Sequence, residues 1–199
     1  MSRVKWSPML ALPAALGIIC GLETELLVIF CAACIHEAGH LLAILLCGGK
    51  MGEMRIGLTG AVIQYDIAFK AGYGKDAIIA AAGPAAGFAA AAAARLLPYS
   101  EPLTLFTGLC LVLSCFNLLP VLPLDGGRIL WALLALFFDE QIAERGVRAA
   151  GNVTALAIVA CGALAACIAR FELSVVLAYA LILLKLSSKT PLHKADYKI

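Results

Sequence analysis

The sequence His36-Glu37-Ala38-Gly39-His40 sets two imidazoles and a carboxylate inside residues 26–47, a run with no other charged residue. On a helix, positions four apart share a face, so both imidazoles can reach one ion while Glu37 projects beside it towards a bound water. Ionisable groups at the centre of a bilayer cost about 2.5–3.5 kcal/mol each on insertion scales, and a bound metal supplies the compensation. The competing readings are a chance pattern or polar groups lining an ion path. A catalytic zinc keeps three protein ligands and leaves its fourth position to water, so two histidines call for a third ligand elsewhere. Between Glu101 and Asp139 the internal charges are Asp125 and Arg128, and Asp125 lies in Asn117-Leu118-Leu119-Pro120-Val121-Leu122-Pro123-Leu124-Asp125-Gly126-Gly127-Arg128. Asp125 is therefore the candidate third ligand. Its alternative role is to cap a helix starting at Gly126. Two histidines and one carboxylate with a general base favour zinc over iron or cobalt.

The elements that must position these residues are membrane helices. The chain has 199 residues, 63% of them hydrophobic and 14% charged, with mean hydropathy +0.97, far more apolar than a soluble domain. Apolar runs near the ~20 residues that cross hydrocarbon suggest about six spans, near residues 7–22, 26–47, 77–97, 103–138, 148–169 and 171–187. A continuous helix through the fourth would be about 50 Å long, beyond a ~30 Å core, so it must break. Pro120, Pro123, Gly126 and Gly127 supply the break. Lys and Arg gather at Arg3 and Lys5, in the loop 48–76, at Arg145 and Arg148 and in the tail, all on one side of this topology. The positive-inside rule then places both termini in the cytoplasm.

In that 48–76 loop, Met54, Ile56 and Leu58 alternate with small or polar residues, as do Ala61, Ile63 and Tyr65, which predicts a short β-hairpin turning at Thr59-Gly60. All eight cysteines lie in apolar runs and are expected as thiols, the pair Cys31 and Cys34 included. Trp6, Tyr73 and Tyr99 suit interface anchoring. The net charge of +2 is scattered, so no nucleic-acid partner is implied. The expected architecture is an all-α polytopic membrane protein, one embedded domain spanning residues 1–199, in contact with lipid.

His36-Glu37-Ala38-Gly39-His40 in one apolar span, followed by Asn117-x-x-Pro120-x-x-Pro123-Leu124-Asp125-Gly126-Gly127 in a later one, resembles the site-2 protease family of intramembrane zinc metalloproteases, peptidase family M50. The similarity covers about residues 26–136, including the small-residue stretch Ala82-Gly83-Pro84-Ala85-Ala86-Gly87, and is strongest to the compact bacterial branch that includes the sporulation sigma-factor-processing proteases. The resemblance implies that His36, His40 and Asp125 bind one Zn2+, that Glu37 activates the water, that Asn117 helps seat the substrate, and that part of residues 57–65 pairs with an unwound substrate strand. It also implies a bacterial cytoplasmic membrane. Relatives often carry an asparagine shortly after the Gly-Pro, where this chain has Ala85, Ala86, Gly87 and Phe88. They also often carry PDZ or CBS modules. Neither is expected here, so a regulatory function would fall to a separate membrane partner.

Two other function classes compete with regulated intramembrane proteolysis: a membrane metal-ion transporter, and a catalytically silent relative that binds membrane partners. Glu37 separates them, because a transporter gains nothing from a carboxylate in a general-base position. Substrate identity, cleavage position and oligomeric state are not encoded in these motifs.

Overall fold

Apolar segments of this length must satisfy their backbone hydrogen bonds internally, and helices do so. The computed structural model describes residues 4–6, 18–57, 60–66 and 72–169. Among them are five helices, α1 (Glu23–Leu46), α2 (Tyr73–Ala94), α3 (Glu101–Asn117), α4 (Asp125–Phe137) and α5 (Glu140–Ala169), and three strands, β1 (Val4–Trp6), β2 (Lys50–Gly57) and β3 (Gly60–Asp66). By length and composition α1 and α2 can cross a membrane, and α3 is a shorter apolar helix. Residues 7–17 of the expected first span and all of that near 171–187 lie outside the described residues. The fourth is divided as its prolines require, α3 ending at Asn117 and α4 beginning at Asp125.

The chain divides into two compact units. The first combines the described residues before Ala71 with Ala81–Phe116. On α1 the buried residues Val28, Ala32, His36, Gly39, His40, Ala43 and Ile44 form one stripe at three- and four-residue spacing. Leu27, Ile29, Phe30, Leu42 and Leu45 point outward and are largely exposed. Polar groups inside and large aliphatic groups outside invert the soluble pattern and suit a lipid surround. Ala32 of α1, Ala91 of α2 and Cys110 of α3 form a small core, with Phe106 and Leu109 packed against it. At the end of α1 the N–H of Gly48, at φ 80°, donates to Leu45 O at 3.0 Å and that of Gly49 to Ile44 O at 2.8 Å, a glycine-dependent stop.

Beyond that stop β2 runs antiparallel to β3, with Met51 opposite Tyr65 and Gly57 opposite Gly60. These strands occupy the segment whose alternation predicts a hairpin; the connecting residues 58 and 59 lie outside the described set. The short β1 adds to the other side of β2 in parallel, pairing Val4 with Met54, so β1 and β3 form the two edges of the sheet.

The second unit holds Gly72–Ala80 and the described residues from Asn117 onward. Here α4 packs on α5, where Ala132, Ala135, Ala143 and Val147 are buried. Tyr73 donates its hydroxyl to Glu140 Oε1 at 2.7 Å and meets the Trp131 ring edge-on with centroids 5.5 Å apart. Ahead of α4 the chain folds back tightly: Val121 N–H donates to Leu119 O at 2.7 Å and Leu124 N–H to Val121 O at 2.8 Å. A Cβ on Gly127 would lie 2.6 Å from Val121 C and 2.7 Å from Leu122 N. Those are backbone atoms that cannot swing aside, so Gly127→Ala is expected to cost about 1–3 kcal/mol, read as a lower thermal midpoint in detergent.

Candidate metal centre

The stripe on α1 brings His36 and His40 together. Their Nε2 atoms lie 3.2 Å apart, and the rings stand nearly edge to face, at 80° with centroids 4.9 Å apart. Two nitrogens bound at about 2.0–2.1 Å to one tetrahedral ion would be about 3.3 Å apart, so the pair already has the separation that zinc ligation demands. His36 is 4% and His40 5% exposed, which puts the two imidazoles among packed side chains instead of solvent. Glu37, next to His36 on the helix, is half-buried.

Gly39 and Gly83 have parts that the motif alone does not disclose. Gly39 sits on the buried stripe between the histidines, and a Cβ on it would come within 2.5 Å of Ala82 O and 2.7 Å of Ala86 Cβ. Its missing side chain therefore lets α2 lie directly against the histidine face of α1. Gly83, the residue after Ala82, abuts the His40 ring. The sequence signal was the run Ala82-Gly83-Pro84-Ala85-Ala86-Gly87, which marks close helix packing without saying against what.

In the second unit Asp125 is the first residue of α4, and Leu124 is the cap, making no side-chain capping bond. Asp125 is thus inside the helix and not at the capping position. It is 7% exposed, with Gly126 and Gly127 also buried beside it. Arg128, one turn on, places Nη1 3.7 Å from Asp125 Oδ1. Asn117 ends α3 and is half-buried. The described cysteines form no disulfide, and Cys31 and Cys34 lie on the exposed face of α1, away from the histidine stripe. His36 and His40 are thus a buried imidazole pair of the first unit, and Asp125 is a buried carboxylate of the second, side chains of the types that ligate metal ions.

Residues 92–162 match the model of Peptidase family M50. That segment contains Asn117 and Asp125 but neither histidine of the pair. Among solved structures the chain is similar to a site-2 protease from Methanocaldococcus jannaschii, with 23% identity, a TM-score of 0.62, and 95% of this chain and 90% of that chain covered. At that identity the likeness establishes the fold. No curated protein sequence matches the chain. Residues 92–162 are thus similar to Peptidase family M50, and the chain has the fold of a site-2 protease.

Proposed function

We propose that this chain is a zinc-dependent intramembrane endopeptidase that hydrolyses a peptide bond in or beside a transmembrane segment of another membrane protein. The observation that carries the reading is the facing pair of buried imidazoles, set at a ligating distance with Glu37 adjacent. In this reading His36 and His40 bind through Nε2 and Asp125 completes the set. Buried charges demand a partner, and the carboxylate offsets the charge of a divalent ion that two neutral imidazoles leave unbalanced.

When bound, zinc would lower the pKa of its water towards ~7 and polarise a scissile carbonyl. Glu37 takes the proton from the attacking water and returns it to the leaving amine, as a positioned general base and acid. Asn117, with an amide that both donates and accepts, seats the substrate backbone. A helical substrate shields its own carbonyls, so it must unwind before attack; pairing with a sheet edge such as β3 offsets the lost helical hydrogen bonds. The excess of Lys and Arg at residues 48–76 and 145–148 favours both termini in the cytoplasm, and the resemblance to the compact bacterial branch implies a bacterial cytoplasmic membrane.

Metal removal tests the reading. After treatment with a zinc chelator, the purified protein is expected to lose cleavage of a reconstituted single-pass substrate and to regain it on addition of stoichiometric Zn2+. Cleavage that persists with less than a tenth of an equivalent of bound metal would exclude a metalloprotease. Zinc flux into proteoliposomes without any cleavage would favour the transporter instead.

A further inference from the structure

We propose that Gly83 is a positioning residue of the metal centre: its missing side chain keeps the Nε2 edge of His40 clear, so that the imidazole can hold an ion. The inference rests on the reading of His36 and His40 as ligands. An ideal Cβ on Gly83 would fall against Nε2 of His40, 2.5 Å from Cε1 and 2.7 Å from Cδ2. All three are ring atoms, and the first is the nitrogen that faces His36 Nε2 at 3.2 Å. A methyl group at position 83 would therefore occupy the space beside the ligating lone pair itself.

What must yield is decided by which atoms collide. Pro84 follows Gly83 and is fully buried inside α2, which fixes the backbone there and leaves it little room to retreat. Across the contact lies the far end of a side chain, which can yield by turning about χ1 and χ2 where backbone cannot. In Gly83→Ala the His40 ring is displaced and the helices stay together. Gly39 presents the opposite case, since a Cβ there would meet the backbone of α2 at Ala82 O and, 3.0 Å away, at Ala82 C. Gly39→Ala can be accommodated only by moving α1 from α2. Two glycines on the same helix contact thus serve separable ends, one keeping the helices close and the other keeping a ligand nitrogen accessible.

The test compares the parent with Gly83→Ala, Gly39→Ala, His36→Ala, His40→Ala and the double variant His40→Ala/Gly83→Ala, purified in detergent. Zinc affinity is measured by competition titration, coordination by the visible absorption of the Co2+-loaded protein, and packing by the thermal midpoint of the metal-free protein. Gly83→Ala is expected to bind zinc about 10- to 100-fold more weakly than the parent and to show an altered cobalt spectrum, the range seen when groups that orient a ligand are lost. Any fall in its metal-free midpoint should vanish in the His40→Ala background, where the ring that the methyl strikes is gone. Gly39→Ala should lower the metal-free midpoint.

Parent-like zinc affinity and cobalt spectrum in Gly83→Ala would overturn the proposal. So would an equal fall in the metal-free midpoint with and without the His40 ring, a readout that needs no metal. Should His36→Ala and His40→Ala bind zinc as the parent does, the metal-site reading fails instead, and with a different signature.

Discussion

Glu37→Gln is expected to lower cleavage of a membrane substrate by about 10²–10⁴-fold while the protein keeps its full complement of zinc. Glutamine preserves the shape of the side chain and removes only its ability to take a proton. The half-buried position of Glu37 means that the change leaves no deeply buried charge uncompensated, so folding should be little affected. The adjacent imidazoles, both almost fully buried, are untouched. Co-expression with candidate single-pass proteins, followed by immunoblotting for the shortened product, reads the loss; metal analysis of the same purified protein reads the retention. The combination distinguishes the three function classes. A transporter carrying Glu37→Gln would retain metal flux, and a silent relative would show no product with either form.

Asp125→Ala is expected to reduce zinc affinity by at least about 100-fold and to abolish cleavage, because losing a direct ligand costs no less than losing a group that orients one. The alternative role for Asp125 is its pairing with Arg128 across 3.7 Å, with the Arg128 side chain 39% exposed. An ion pair open to solvent on one side contributes about 0–1 kcal/mol, too little to account for such a loss. Arg128→Gln supplies the contrast: it removes the same ion pair and should leave zinc affinity within a few-fold of the parent. Competition titration of both variants decides between the roles, and equal losses from both would assign Asp125 to the ion pair.

Much of the site was legible because its chemistry is costly in hydrocarbon. His36, Glu37, His40 and Asp125 stand out in a chain with only 14% charged residues, and ligand spacing four apart on a helix follows from geometry alone. The break between Asn117 and Asp125 was equally readable from Pro120 and Pro123, in a run too long for one span, whereas Gly126 and Gly127, expected to share in it, lie inside α4. Residue pairs distant in sequence were not. The parallel pairing of Val4 with Met54 joins a three-residue strand to one some fifty positions later, and no local pattern reports it. Helix starts also moved outward: α2 begins at Tyr73, where a hydrogen bond to Glu140 holds the first turn, and α5 begins at Glu140, well before its apolar stretch. There Glu144 and Arg148, four apart and hydrogen-bonded, support a polar helical turn that hydropathy overlooks. The contacts of Gly39 and Gly83 stayed hidden because a glycine's value lies in what approaches it, and that depends on a second helix.

A structure of the zinc-loaded protein with anomalous diffraction recorded at the zinc edge tests the central claim most directly. One strong peak is predicted, within about 2.0–2.2 Å of His36 Nε2, His40 Nε2 and an Asp125 oxygen, with Glu37 in hydrogen-bonding reach of the remaining position. A peak ligated elsewhere, or one bound by the two histidines with Asp125 turned away towards Arg128, would contradict it.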